Sequence, residues 1–233
     1  MTDNQGTYGI GLANYFRSEA QSIGIKVLGH GSLDAANITP SAQSLAATIA
    51  AKKPDLVYFG GEYGAKGGAE ILADALRKAG LSHVVFMGGD GIYAQDFING
   101  SSAGGADNAL ATNVGRDATT DPNAKSFVAA EAKYFPGSHV AGYDAYAYDA
   151  ALVLLHAFAK AVSSGQIKVG ATMNRAARLV IDKQIAATSD LRGSTGPLSF
   201  DANGDSKNHL FSVYRVSGHG KSAHWKFVTV APQ

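Results

Sequence analysis

Two unbroken apolar runs, Leu56-Val57-Tyr58-Phe59 and Val84-Val85-Phe86-Met87, each end on a glycine pair, Gly60-Gly61 and Gly88-Gly89. Runs this short that are apolar at every position mark strands covered on both faces, which is the environment of a parallel sheet between helical layers. The segments around them carry helical spacing. Tyr8, Leu12, Tyr15, Phe16 and Ile23 recur on one face, with Gly24 where a helix would end. Ile25-Lys26-Val27-Leu28 reads as a further short strand. Thr39-Pro40 reads as an N-cap with proline at the first helical position, opening a helix through Leu45 and Ile49 that ends near Lys53-Pro54. Ile71, Leu72, Ala75 and Leu76 mark the next helix, stopped by Gly80. Residues 8–88 therefore alternate helix and strand three times, which predicts an α/β fold with a doubly wound parallel sheet. Such sheets bind ligands beyond the carboxyl ends of their strands, so the loops after Phe59 and Met87 are the places to examine.

The alternation then stops. Asp121-Pro122 opens a helix through Phe127, Ala130 and Tyr134. Tyr143 to Val162 forms a long alanine-rich one, and Thr172 to about Ile185 a third. Near the end, Leu210–Val216 and His224–Val230 read as a β-hairpin around Ser217-Gly218-His219-Gly220.

Composition narrows the function classes. Of 233 residues 45% are apolar and 17% charged, enough for a packed core. A net charge of +1 lacks the basic excess that a nucleic-acid surface needs. With no cysteine there is no disulfide, thiolate metal site or thiol nucleophile. No run of 18 apolar residues occurs, so no membrane span is expected, and Met1 to Gly6 lack the basic and apolar regions of a signal peptide.

Several motifs invite chemistry and fail on detail. Gly218-His219-Gly220-Lys221-Ser222 resembles a phosphate loop, but the glycine required five residues before Gly220 is Arg215, and strands flank it; a hairpin turn reads better. Asp201-Ala202-Asn203-Gly204-Asp205 opens like a calcium loop, but Ser206 and Ser212 replace the required glycine and glutamate, leaving a tight turn. His209, His219 and His224 match no structural zinc spacing. No cofactor fingerprint and no nucleophile elbow occur, so neither a cofactor nor an enzymatic activity is expected. What remains is a set of polar groups on strand-end loops: Glu62 and Tyr63 after one strand, Asp90 after the next. A carboxylate on such a loop pairs with a ligand's ammonium, and flanking glycines let the backbone approach closely. The same carboxylates would equally cap turns or helices, and on the residues alone both readings stand.

At this point the sequence resembles the branched-chain amino-acid binding proteins, the periplasmic binding proteins of type I. Tyr8-Gly9-Ile10-Gly11 is similar to the segment opening the first helix of the family's second lobe. Pro54 to Gly61 is similar to a second-lobe strand and its glycine turn, and Phe86-Met87-Gly88-Gly89-Asp90-Gly91 resembles the strand and acidic loop that grip the ligand's ammonium. Tyr148-Asp149-Ala150-Ala151 resembles part of a long first-lobe helix, and Gly196 to Asp205 the crossover back to lobe two. The motifs stand in the family's order along the whole chain.

The resemblance implies two lobes that close on a ligand about a hinge, with residues 1–116 and 204–233 in lobe two and the mainly helical residues 117–203 as part of lobe one. It implies the solute-binding component of an ABC transporter, taking an aliphatic or branched-chain amino acid outside the cytoplasm and meeting an ABC permease; a ligand-sensing regulator or receptor module with the same fold is the alternative. Tyr8 would line the pocket and Asp90 would bind the ammonium. Glu62 stands where the family has a pocket tyrosine, and its neighbour Tyr63 is the candidate for that role. The resemblance also implies that most of the lobe-one sheet and the central strand of lobe two precede Met1. Ligand binding by this chain alone would then be weak or absent, and a homodimer or swapped assembly would cover the helices of residues 122–187.

Overall fold

A computed structural model describes residues 1–138 and 140–231. The chain forms two compact units, Met1–Asn113 with Ser212–Thr229, and Val114–Phe211 with the C-terminal residues from Val230.

The first unit carries a seven-stranded sheet. Its strands are β1 (Thr2–Asp3), β2 (Gly31–Ser32), β3 (Leu56–Gly60), β4 (Val85–Gly88), β5 (Leu110–Val114), β8 (Phe211–Ser217) and β9 (His224–Ala231), in the order β2-β1-β3-β4-β5-β8-β9. The pairs β1–β2, β1–β3, β3–β4 and β4–β5 are parallel. Helices α1 (Thr7–Ser22), α2 (Ile38–Ala50) and α3 (Ala69–Lys78) form the crossovers, and α4 (Gln95–Gly100) follows β4. Because β2 lies on one side of β1 and β3 on the other, the chain reverses its direction of winding at the β1/β3 boundary. That reversal opens a crevice at the carboxyl ends of the two strands.

The core of this unit is packed by Val57, Phe59, Leu72, Phe86, Ile92 and Phe97, with Phe86 stacked between Phe59 and Phe97. Helix α1 buries only small residues, Gly9, Ala13 and Ala20, so it lies close against β3. It ends as its pattern predicts: Gly24, one residue past the C-cap Ile23, takes φ +82°, which L side chains rarely adopt.

The structure differs from the sequence reading in several places. Ile25–Leu28 is not a strand; pairing begins at Gly31, opposite Thr2, and Ile25 and Leu28 stay exposed. Thr2 and Asp3 of β1 pair with Gly31 and Ser32, three residues beyond Leu28. The central strand, expected to precede Met1, is instead found within the chain as the two-residue β1 between β2 and β3. Helix α2 starts after Asn37, so Pro40 falls inside the first turn rather than at its first position. β5 had no counterpart in the reading, because Leu110-Ala111-Thr112-Asn113-Val114 lacks the continuous apolar character of its neighbours.

The second unit is mainly helical: α5 (Lys125–Tyr134), α6 (Asp144–Ser163) and α7 (Arg175–Ala186), with a two-stranded antiparallel ribbon of β6 (Leu191–Gly193) and β7 (Gly196–Leu198). Asp121 opens the first helical segment by accepting from the Asn123 amide at 2.9 Å. Ala157 and Ala161 of α6 pack on Ile181 of α7. Asp149, buried in mid-helix, accepts from the amides of Ser194 (2.6 Å) and Thr195 (2.8 Å) and from the Thr195 hydroxyl (2.7 Å). By length and composition α6 is apolar enough to cross a membrane, contrary to the sequence reading, with 28% of its most apolar stretch buried. Its anchored Asp149 and its packing on α7 tie it into this unit instead. The Asp201 loop is a tight turn, with Asp201 Oδ1 accepting from Asn203 (2.8 Å) and Asp205 (2.9 Å).

Two glycines of α1 give opposite expectations. A Cβ on Gly9 would stand 2.5 Å from the Gly60 carbonyl oxygen, whereas one on Gly11 would meet nothing within 4 Å. Gly9→Ala should cost roughly 1–3 kcal/mol, several degrees of Tm, while Gly11→Ala should stabilise by about 0.5–1 kcal/mol. Thermal denaturation of the two variants checks both signs.

Candidate functional site

The reversal at β1/β3 gathers three loops of the first unit. The loop after β1 leads through Asn4, Gln5 and Gly6 into α1 and delivers Tyr8. The loop after β3 carries Glu62 and Tyr63. The loop after β4 carries Asp90, in a 3₁₀ turn of Asp90–Ile92.

Close backbone contacts hold these loops in place. Gly9 lies against Gly60, and a Cβ on Gly60 would come within 2.5 Å of the Gly9 carbonyl oxygen and 2.8 Å of the Ala13 nitrogen. The α1 N-terminus is thereby pressed onto the end of β3. Tyr63 donates its amide to the Gly91 carbonyl at 3.0 Å, joining the second and third loops. Gly91 leaves room for this, since a Cβ there would collide with the Gly61 carbonyl and meet Glu62 Cγ at 3.3 Å. At the far end of the second loop the Gly64 amide donates to both oxygens of Glu70 on α3, at 3.2 and 3.1 Å.

On this frame Tyr8 and Asp90 meet, and the Tyr8 hydroxyl donates to Asp90 Oδ1 at 2.6 Å. Burial, reinforced by donation to Asp90 and by its negative charge, pushes the Tyr8 hydroxyl well above the usual tyrosine range. The hydroxyl is therefore a donor at any physiological pH. Tyr58, on β3, stacks on Phe16 of α1 at 3.9 Å between ring centroids, with the planes 3° apart. Burial raises its hydroxyl too, and the Asp90 charge adds to the rise. Asp90 is half-buried, with Gly89 and Gly91 on either side. A Cβ on Gly89 would stand 3.3 Å from the Tyr8 hydroxyl oxygen, so glycine here admits the tyrosine. Glu62 and Tyr63 are exposed beside this pair, Tyr63 at 38%.

All four sequence-selected residues thus occur on adjoining loops at one end of the sheet: Tyr8 and Asp90 in contact, Glu62 and Tyr63 on the loop bonded to Gly91. Sequence reasoning missed Tyr58, which looked like one more apolar position in a buried strand. It also missed Asn4, whose side chain sits against Gly9 and Gly61. The other candidate groups have local partners: His219 Nδ1 lies 3.4 Å from Asp107 Oδ2, and His224 Nδ1 lies 2.9 Å from the Ser222 carbonyl.

The model of one protein family, described as periplasmic binding protein, matches residues 1–221. The chain belongs to that family. Its members bind solutes and are not enzymes. No curated protein matches the chain. Among solved structures, a leucine binding protein from Thermotoga maritima is 22% identical and superposes with a TM-score of 0.75, covering 98% of this chain and 59% of its own. A branched-chain amino acid transporter substrate binding protein from Streptococcus pneumoniae, in complex with isoleucine, is 23% identical with a TM-score of 0.67, covering 97% of this chain and 59% of its own. A solute binding protein from R. palustris in complex with 4-hydroxybenzoate is 17% identical with a TM-score of 0.67, covering 99% and 59%. The fold is that of the type I periplasmic binding proteins. The chain spans about 59% of the length of these structures.

The charge of Asp90 yields a spectroscopic expectation. Tyr8 and Tyr58 both feel it, so Asp90→Asn should lower the ionisation midpoints of both in an ultraviolet titration of the phenolate. A folded-state pKa above the unfolded value stabilises below the ordinary tyrosine pKa of about 10 and is lost as pH rises past it. The parent should therefore lose more stability between neutral and strongly alkaline pH than Asp90→Asn does.

Proposed function

We propose that this chain is a solute-binding component of an ABC transporter that takes an aliphatic or branched-chain amino acid outside the cytoplasm. One observation carries the reading: a carboxylate, Asp90, held by the Tyr8 hydroxyl at 2.6 Å on a glycine-flanked loop at the carboxyl end of a parallel sheet. Such a carboxylate recognises an ammonium, and its negative charge disfavours a ligand that is only an anion. An amino acid therefore suits the site better than an aromatic acid such as the 4-hydroxybenzoate of the R. palustris structure. In this reading Asp90 pairs with the ammonium, Tyr8 orients Asp90 and lines the pocket, and Tyr63 and Glu62 border the ligand's side chain. The unit Met1–Asn113 with Ser212–Thr229 acts as the family's second lobe, and the helical unit as part of its first.

A ligand-sensing regulator or receptor module would use the same site chemistry. The two differ in partner, an ABC permease against a signalling protein, and whether permease and ATPase genes lie beside this chain's gene separates them.

The helical unit exposes Leu154, Leu155, Phe158 and Val162 on α6 and Leu179 on α7. Apolar patches of this kind are interaction surfaces more often than not. In this reading a second copy covers them, as a homodimer or swapped assembly. Light scattering should then give a dimer mass that Leu155→Lys reduces to the monomer; a monomeric parent at high concentration removes the assembly from the account.

The ligand test is a thermal-shift and calorimetry screen against the standard amino acids. A ligand of the folded state raises Tm by linkage. Leucine, isoleucine or valine should raise it, with the effect lost in Asp90→Ala, whose own Tm should stay close to the parent's. A shift equally large in Asp90→Ala, or with anionic solutes only, contradicts the site.

A further inference from the structure

The charges of this chain are unevenly placed. Residues 206–233 hold the basic side chains Lys207, Arg215, Lys221 and Lys226 and none of the 19 acidic ones. The basic excess of a chain with net charge +1 therefore lies in the segment that forms the β8–β9 hairpin. One face of that hairpin is core. Ser212, Tyr214 and Val216 are buried, Trp225 and Phe227 meet the rings of Tyr93 and Tyr214, and the Trp225 indole donates to the Ala94 carbonyl at 3.0 Å. Side chains alternate between faces along a strand, so Arg215 of β8 and Lys226 and Val228 of β9 fall on the other face, where all three are exposed.

The Val216 amide donates to the Ala109 carbonyl and the Gly115 amide to the Leu210 carbonyl, so β8 runs antiparallel to β5. The turn after β8 and the start of β5 therefore lie at the amino ends of the parallel strands, at the opposite end of the sheet from Asp90. A groove of about 420 Å³ opens here, within the size range of small-molecule sites. It is lined by Asn108, Arg215, His219, Lys226, Phe227 and Val228, and β3, β4 and β5 separate its strands from β1. Among the described residues neither Arg215 nor Lys226 has an ion-pair partner. The neighbouring carboxylate, Asp107, is already engaged: its Oδ2 lies 3.5 Å from Arg77 Nη1 and 3.4 Å from His219 Nδ1, which tethers the His219 ring beside the groove. A concave surface lined by one sign of charge focuses its field on a counter-ion. The cations also differ in what they offer: a guanidinium grips two oxygens of one anion at once, and an ammonium acts as a point charge. A lone carboxylate cannot serve both, whereas a phosphate monoester brings a charge near −2 and three acceptor oxygens. Phe227 and Val228 add apolar lining for the body that carries it.

We propose that this groove is a second binding site, for a phosphate monoester. Arg215 takes two of the phosphate oxygens and Lys226 the third, Asn108 and His219 border the anion, and the organic body lies on Phe227 and Val228. The ester is a soluble small molecule or the headgroup of a phosphate lipid, which present the same chemistry to the groove. The site stands apart from the amino-acid site and does not depend on it.

The test titrates the full chain with phenyl phosphate at an ionic strength of about 0.15 M, where attraction between scattered surface charges is largely screened. Calorimetry should give saturable binding, and the ester should raise Tm in a concentration-dependent way. Benzoate, with one charge, should bind about tenfold more weakly, and phenol not at all. The double variant Arg215→Gln/Lys226→Gln changes two exposed side chains. It should keep the Tm of the free protein and bind phenyl phosphate at least about tenfold more weakly. Asp90→Ala should bind phenyl phosphate as the parent does, which separates this site from the amino-acid crevice. Flotation with phosphatidylcholine vesicles containing phosphatidic acid distinguishes the sources. Flotation that phenyl phosphate competes away assigns the lipid headgroup, and no flotation assigns the soluble ester. Equal binding of benzoate, unchanged binding in the double variant, or no saturation at millimolar phenyl phosphate would overturn the proposal, as would flotation that phenyl phosphate leaves intact.

Discussion

Two backbones meeting without side chains between them fix the geometry on which the binding face depends. Gly9 on α1 and Gly60 at the end of β3 approach so closely that a Cβ on either would stand 2.5 Å from the other's carbonyl oxygen. A helix normally rests on a sheet through a layer of side chains. Here the glycine pair removes that layer at one point and lowers the first turn of α1 onto the strand. Tyr8, one residue before the contact, is thereby brought to the loop after β4 and to Asp90. Further along the helix Ala13 and Ala20 keep the approach close, and Phe16 stacks on Tyr58. A larger residue at Gly9 or Gly60 would lift the helix end and carry Tyr8 away from its partner.

The electrostatics follow from that placement. Two phenolic hydroxyls share the surroundings of one carboxylate, and each is held neutral by burial and by its charge. The neutral Tyr8 hydroxyl donates to the carboxylate without neutralising it. The loop therefore keeps a negative charge while Tyr8 fixes the direction in which one oxygen points. A cationic ligand group meets a carboxylate already oriented, so less ordering is left to the moment of binding. The glycines at 89 and 91 serve the same end by steric means, admitting Tyr8 on one side and the Gly61–Glu62 backbone on the other.

Much of this was legible in the sequence, for identifiable reasons. The strands Leu56–Gly60 and Val85–Gly88 are covered on both faces, so burial wrote them as continuous apolar runs. The strand-end rule then selected the loops bearing Glu62, Tyr63 and Asp90. What escaped was whatever long-range pairing decides. β1 has two residues and no pattern of its own, and its position exists only because β2 and β3 flank it. Ile25–Leu28 has the composition of a strand, but among the described residues the pairing with β1 begins only at Gly31. β5 has a partner but not the composition: Thr112 and Asn113 interrupt the apolar run, and Asn113 is nonetheless buried. Tyr58 was hidden because a tyrosine inside an apolar run reads as core, and the charge it responds to lies 32 residues away in sequence, on another strand's loop.

The claim at the centre of this account is that Asp90, oriented by Tyr8, receives an ammonium group. Carbon-detected NMR of the Asp90 carboxyl during titration with L-leucine, against N-acetyl-L-leucine as the ligand without an ammonium, addresses it directly. The account predicts a saturable shift of the Asp90 carboxyl carbon, with a matching change at the Tyr8 ring, for L-leucine alone. Equal shifts with both compounds, or a response to L-leucine that bypasses Asp90, would contradict it.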